Sequence, residues 1–185
     1  METSLVFATE AKQMSMRFSQ RVRTDFGLEL RGWGLLNTGS GAFAYKASLL
    51  KTLELGAVSA KAGAAGTTPL TLAAGVTLSS ASREEPVLCA SARKTIALLE
   101  GDSTLLTAKA LAEYEPSSKR LARRASLRLS RKFLNLTERQ DIKITGGVDV
   151  DLTKPSPAPV PYLRVRENNV GVAYKGRRWM VTYDL

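Results

Sequence analysis

Apolar and polar residues alternate along the stretch MSMRFSQRVR, which runs from Met14 to Arg23. The even positions carry methionine, phenylalanine and valine, with Gln20 as the only break, and the odd positions carry serine and arginine. Successive side chains of a β-strand point to opposite faces, so this period predicts a strand with one apolar and one wet face. A helix fits less well, because two arginines would share a helix face with Met14 and Phe18.

The same alternation recurs along the chain, with turn residues at short intervals. Examples of predicted turns are Asn37–Gly41, Glu100–Asp102 and the pair Asn168 and Asn169, which suits a hairpin turn with positive φ. About twelve alternating segments result, at roughly fifteen residues for each strand and turn, which suits strands of about 9–11 residues that cross a bilayer at a tilt.

Two segments complicate this pattern. The stretch Thr153–Pro161, TKPSPAPVP, predicts a loop, because proline does not fit a continuous strand ladder. The stretch Arg120–Leu136 fits a strand with Arg124, Arg128 and Lys132 on the wet face, and it also fits a basic amphipathic helix that lies on a membrane surface. We favour the strand, and the helix remains the alternative.

Composition narrows the classes of function. The 185 residues include 27 Lys and Arg against 17 Asp and Glu, a formal net charge of +10, which favours anionic partners such as nucleic acid, phosphorylated metabolites or an acidic membrane. Aromatic residues make up only 6%, few for a base-stacking surface. Cys89 is the only cysteine and there is no histidine, so a disulfide or a His/Cys metal site is excluded within the chain. With no nucleophile–base pair either, we expect no enzyme and no cofactor.

Neither a secretory signal nor a transmembrane helix is expected. The opening METSLVFATEAKQMSMRF lacks a basic segment followed by an apolar core. The uncharged run Ala62–Ser82 is long enough for a membrane helix, but Pro69 and many Gly, Thr and Ser residues argue against one. We predict a loop there, followed by a strand from Leu70.

The position of each charge is more informative than the total. Most acidic residues fall at predicted turns, and only Glu29, Glu54, Glu113 and Asp149 lie in mid-strand. Basic residues lie within strands, opposite the apolar set, so the inner wall of a closed cylinder would be more positive than the net charge suggests. Arginine predominates, and its planar fork suits phosphate oxygens. The candidate anion contacts in such a lumen are Arg17, Arg21, Arg23, Arg31, Lys46, Lys109, Arg124, Arg128, Lys143, Arg164 and Arg166.

Alternation alone is compatible with two arrangements. In a soluble basic β-domain the apolar faces pack together and the arginines face outwards, where they bind nucleic acid. In a membrane barrel the apolar face meets lipid and the arginines line a water-filled lumen. The two arrangements predict opposite sides for the same residues.

The two ends of the chain favour the second arrangement. The blocks PYLRVRENN, from Pro161 to Asn169, and YKGRRWMVTYDL, from Tyr174 to Leu185, together with the opening METSL, resemble the small chloroplast outer envelope pore proteins. Residues 25 to 155 match in pattern and basic character rather than in motif. The resemblance implies an all-β fold, a closed antiparallel transmembrane β-barrel of about twelve strands that forms a single domain over residues 1–185.

The resemblance also implies a function. It predicts an anion-selective, rectifying channel of the plastid outer envelope, inserted without a cleaved presequence, that passes inorganic phosphate, triose phosphates and phosphoglycerate. ATP is expected as a modulator and membrane lipid as a partner, and no nucleic acid is expected. We interpret Arg166–Asn169 as a hairpin turn flanked by a salt bridge rather than a ligand site, and Trp179 and Tyr183 as anchors at the membrane interface.

Overall fold

The computed structural model describes residues 2–9, 12–56, 69–82, 85–98, 104–137 and 140–185. Within these residues the chain forms twelve β-strands, and a short 3₁₀ turn spans Ser80–Ser82. No helix of the described residues has the length and hydropathy needed to cross a bilayer. The strands are β1 Glu2–Ala8, β2 Gln13–Arg23, β3 Leu28–Asn37, β4 Phe43–Leu55, β5 Leu70–Ser79, β6 Val87–Ala97, β7 Thr104–Glu115, β8 Arg120–Thr137, β9 Gln140–Asp151, β10 Pro159–Glu167, β11 Val170–Lys175 and β12 Arg178–Asp184.

The described strands close into a barrel. Each strand pairs antiparallel with the next along the chain, and β1 pairs with β12 in a register that runs from Ser4 opposite Asp184 to Ala8 opposite Met180. A closed barrel has no free edge, so every strand finds partners for its backbone N–H and C=O groups on both sides. The predicted closed, antiparallel, all-β barrel of about twelve strands is confirmed.

The two faces of the wall differ in the sense expected for a membrane barrel. Large apolar side chains lie on the outer face, where Leu49 and Leu127 are 55% and 52% exposed. Side chains such as Thr77 and Thr107 are buried on the inner face, and Ser48 bonds Thr77 at 2.9 Å between their hydroxyl oxygens. This is the opposite of the dry apolar centre that the soluble β-domain requires.

A small cluster of buried apolar residues lies on the inner face of the described barrel. It comprises Leu50, Ala73 and Cys89, all buried. The thiol of Cys89 lies 3.4 Å from the hydroxyl of Thr77. The cysteine therefore acts as a small filler of the wall.

The local predictions have mixed outcomes. The stretch Arg120–Thr137 is a strand, so the helical alternative for it is wrong. Asn168 adopts a φ of 46° in the hairpin turn, as predicted, and β5 begins at Leu70. The turn predicted at Glu100–Asp102 lies outside the described residues, as do residues 62–68 of the predicted loop.

The predicted proline loop is too long by three residues. Strand β10 begins at Pro159, and Pro159 and Pro161 pair with Val150 and Val148 of β9. The pairing of β10 with β11 begins only at Tyr162, so the prolines sit at the start of the strand with a partner on one side. Proline has no backbone N–H to donate, so it is tolerated where a strand has a partner on one side only.

Aromatic side chains gather at one end of the outer face. The ends of β1 and β12 that carry the chain termini define the terminal end of the barrel. At the opposite end, Trp179 and Tyr174 lie with their ring centroids 4.9 Å apart. Further aromatic residues within two positions of the strand ends there are Phe7, Phe43, Tyr45 and Tyr114. Such a girdle is typical of the level at which a barrel wall meets lipid headgroups.

Candidate functional site

The strand register brings all eleven predicted basic residues to the inner face. Directly opposed residues of an antiparallel pair project from the same side of a sheet. Arg21 opposes Arg31, Lys109 opposes Arg93, and the remaining predicted residues follow the same parity around the wall. Lys143 shows this on two sides, since it opposes Lys132 of β8 and Arg166 of β10.

A cavity of about 360 Å³, which we call the larger chamber, occupies one side of the lumen. Inner-face residues of eight strands, β2 to β8 and β10, line it. Hydroxyl side chains such as Thr52, Thr107 and Ser126 fill the spaces between the charged groups. The lining carries two carboxylates, Glu29 and Glu54, and six basic residues, Arg21, Arg23, Arg31, Arg93, Lys109 and Arg128.

A second cavity of about 310 Å³, the smaller chamber, lies against β8 to β12. It is less polar, because Ala173 and Met180 form part of its wall. Arg128 and Tyr162 line both chambers. The charged residues of its lining are Arg128, Lys143, Arg164, Arg166, Lys175 and Asp149.

The carboxylates of the larger chamber fix three of its arginines. Glu29 is fully buried, with a side-chain exposure of 0%. It accepts a hydrogen bond of 3.0 Å from Arg21 Nη2 and another from Arg31 Nε. Arg23 Nη2 donates to Glu54 Oε1 at 2.8 Å, and this pair spans β3. The two acids therefore hold three guanidinium groups in place and offset part of their charge.

Other ion pairs span the wall elsewhere. Lys46 Nζ lies 2.6 Å from Glu113 Oε1 and so links β4 to β7, and Arg124 Nη1 lies 3.8 Å from Glu113 Oε2. Arg166 pairs with Asp184, and Lys175 pairs with Asp149. The predicted residues that are engaged by a carboxylate are thus Arg21, Arg23, Arg31, Lys46, Arg124 and Arg166.

Five predicted residues have no carboxylate partner in the part of the chain that the structure describes. Arg17 donates from Nε to the hydroxyl of Ser4 at 3.1 Å. The other four are Lys109, Arg128, Lys143 and Arg164, all of which line a chamber. These cations keep their donors available to a solute. No three His, Cys, Asp or Glu side chains of the described residues come together as metal ligands.

Sequence reasoning placed Arg93 on the wet face but left it out of the candidate contacts, and Arg93 lines the larger chamber. Two inner-face aromatic residues were missed. Trp33 opposes Lys46 and Ser19, and Tyr162 opposes Gly147, which places both aromatics inside the barrel. Strict parity counting along β3 and β10 would have found them.

Comparison with known protein families decides the identity of this barrel. Residues 3–185 match the family model described as chloroplast outer envelope pore protein OEP21. The chain belongs to this family. The OEP21 family consists of pore proteins of the chloroplast outer envelope, so this barrel is an outer-envelope channel, as the chain ends predicted. A search of curated protein sequences returned no match.

Solved structures support the fold of this OEP21 family member. A KdgM porin matches with a TM-score of 0.62 at 10% identity, over 99% of this chain and 95% of the porin. A KdgM porin in complex with disordered oligogalacturonate matches with a TM-score of 0.60 at 10% identity, over the same shares of the two chains. At this identity the likeness concerns the barrel fold alone.

Proposed function

We propose that this channel is anion-selective and conducts inorganic phosphate and phosphorylated metabolites, among them triose phosphates and phosphoglycerate. The observation that carries the proposal is the set of chamber cations with no carboxylate partner among the described residues, which are Arg93, Lys109, Arg128, Lys143 and Arg164. Cations fixed in a confined lumen raise the local concentration of anions and repel cations.

The dimensions of the barrel fit solutes of this size. Eight-stranded barrels are filled by side chains and barrels of 16–18 strands leave wide channels, so twelve described strands give an intermediate pore. The two chambers, of about 310 and 360 Å³, each have room for a small phosphate ester. A KdgM porin of the same fold in complex with disordered oligogalacturonate supports entry of an organic solute into a barrel of this type.

Conduction also requires that the solute leave. A tight site traps an ion, whereas several weak contacts in succession let it move on. Arginine offers a bidentate fork to phosphate oxygens, and lysine offers a point charge. Both kinds of group stand in each chamber, for example Arg93 and Lys109 in the larger one and Arg164 and Lys143 in the smaller one. The solute exchanges one contact for the next along the wall.

Two matched triple variants test the proposal. In the first, Arg93→Gln, Lys109→Gln and Arg128→Gln remove three cations from the larger chamber. In the second, Lys51→Gln, Arg123→Gln and Arg131→Gln remove three from the outer face, where these residues oppose Ala74, Ala112 and Ile144.

Reversal potentials of refolded protein in planar bilayers, under a potassium chloride gradient, give the anion-to-cation permeability ratio. We expect the inner variant to lower this ratio by about tenfold and the outer variant to leave it near that of the wild type, because screened charge outside the lumen acts weakly on the pore. A wild-type pore that prefers cations, or equal ratios for the two variants, would overturn the proposal.

We also propose that nucleotides modulate the channel by binding the same lumen cations. ATP carries several phosphate groups, so it engages more cations of the lumen at once than phosphate does and stays longer. We expect ATP to lower the phosphate current in the same bilayers. A phosphate current that stays constant during an ATP titration would remove ATP from the proposal and leave the channel activity in place.

A further inference from the structure

We propose that Arg128 and Tyr162 form a transfer site at which a phosphate group passes between the two chambers. This inference rests on the anion conductance proposed above and adds a residue class that the basic set lacks, a neutral phenol. Arg128 and Tyr162 are the two residues that the linings of both chambers share. A solute that moves directly from one chamber to the other passes them, and a third cavity of about 500 Å³, which shares Lys109 with the larger chamber and Asp149 with the smaller one, lies beside this route.

Gly147 leaves room for the Tyr162 phenol between the strands of the two residues. It lies on β9 between its neighbours, opposite Arg128 of β8 on one side and opposite Tyr162 of β10 on the other. A Cβ at position 147 would come within 2.6 Å of the Tyr162 hydroxyl and 2.7 Å of its Cζ. The tip of the phenol therefore lies over the glycine, displaced from its own strand towards that of Arg128. A larger residue would push the ring away.

The donors of this pair are unused. In the described part of the chain, no protein group forms a hydrogen bond with the Tyr162 hydroxyl or with Arg128, and both side chains face the cavities. The ring is held from its face by Lys175, whose Nζ lies 5.7 Å from the ring centroid and is itself paired with Asp149. A polar group that is fixed in place without a partner is ready to bind a passing acceptor.

The chemistry of the pair selects a particular class of anion. A phosphate group has several oxygens, so one oxygen can accept from the guanidinium while another accepts from the phenol. Chloride is a single acceptor centre and cannot spread its charge over two separate oxygens. The transfer site therefore favours phosphate and phosphate esters over chloride, while the other cations of the lumen favour anions in general.

The conservative variant Tyr162→Phe tests this inference, because it removes the hydroxyl and keeps the ring over Gly147. Its matched control is Tyr114→Phe on the outer face, where Tyr114 opposes Leu88 and Leu121. The readout is the phosphate-to-chloride permeability ratio, measured from reversal potentials with sodium phosphate on one side of a planar bilayer and sodium chloride on the other.

We expect Tyr162→Phe to lower this ratio by about three- to tenfold, the loss of one hydrogen bond to a charged acceptor, and to leave the chloride-to-potassium ratio unchanged. Tyr114→Phe keeps both ratios. Adding Arg128→Gln to Tyr162→Phe lowers the phosphate-to-chloride ratio by less than the product of the two single effects, because both groups bind the same solute. Circular dichroism of each variant confirms that the barrel has formed.

Two results would overturn the inference. In one, Tyr162→Phe keeps the wild-type phosphate-to-chloride ratio. In the other, the effects of Arg128→Gln and Tyr162→Phe multiply as independent changes. Either result, with anion selectivity intact, leaves the proposed function standing, whereas a cation-selective wild-type pore removes the proposed function itself.

Discussion

The two chambers carry similar charge but hold it in different ways. In the larger chamber Arg21 and Arg31 converge on Glu29, whose side chain is fully buried. In the smaller chamber the equivalent brace is the pair of Lys175 and Asp149, in which the carboxylate side chain is 36% exposed. The larger chamber is thus built around a desolvated acid, and the smaller one is built around an ion pair that water reaches.

The difference shows how a basic pore reconciles charge with stability. Closely spaced guanidinium groups repel one another, and the buried carboxylate of Glu29 between Arg21 and Arg31 offsets that repulsion. In the smaller chamber water screens the charges, and the wall includes Met180 and Ala173. We expect the larger chamber to be the more rigid and the more sensitive to loss of a single acid.

The largest effect is expected from Glu29→Gln. The change leaves Arg21 and Arg31 without their counter-charge, and because their side chains are 58% and 44% exposed we expect a loss of about 1–2 kcal/mol in the free energy of unfolding, measured by denaturant titration in lipid vesicles. Asp149→Asn in the smaller chamber is the matched variant, and about 1 kcal/mol or less is expected because the pair is partly solvated. Equal losses for the two variants would break the comparison between the chambers.

A smaller effect is expected from two double variants that each remove one lysine and one arginine without a carboxylate partner. Lys109→Gln with Arg93→Gln acts on the larger chamber, and Lys143→Gln with Arg164→Gln acts on the smaller one. We expect each to lower the anion-to-cation permeability ratio by about threefold, because an ion that crosses the pore passes through the electrostatic potential of both chambers. If one double variant had no effect in the bilayer measurement, ions would bypass that chamber.

The smallest effect is expected when a whole ion pair is removed. Arg23→Gln combined with Glu54→Gln leaves the formal charge of the larger chamber unchanged, so the reversal potential stays at its wild-type value. Since the side chains of this pair are 45% and 46% exposed, the free energy of unfolding changes by about 0.5 kcal/mol. A large shift in reversal potential would show that the pair acts as a binding group and not as a brace.

Much of the fold and the placement of the basic set followed from the period of the sequence. Alternation places Arg17 and Arg21 on one face of β2 and Met14 and Phe18 on the other, whatever the strand pairs with. Alternation alone does not say which face turns inwards, and the resemblance of the chain ends supplied that choice. The eleven predicted residues lie on one face because alternate positions of a strand share a face, and each residue was chosen from the polar positions.

The partners of those residues depend on tertiary structure. Lys46 and Glu113 are 67 positions apart, and they meet only because the strand order and register bring β4 and β7 within reach of a lysine side chain. No local pattern encodes that distance. The transfer site illustrates the same limit, since Arg128, Gly147 and Tyr162 come from three strands whose relative shift is fixed by the whole wall.

The seam of the barrel has a consequence for biogenesis. Ser4 pairs with Asp184, so one edge of β1 stays unpaired until β12 is in place. Until β12 is in place, the sheet formed by the earlier strands has two unpaired edges, and such edges can pair with strands of other chains. The β1–β12 register therefore makes ring closure depend on the final strand, and a chain truncated before β12 would keep both edges open.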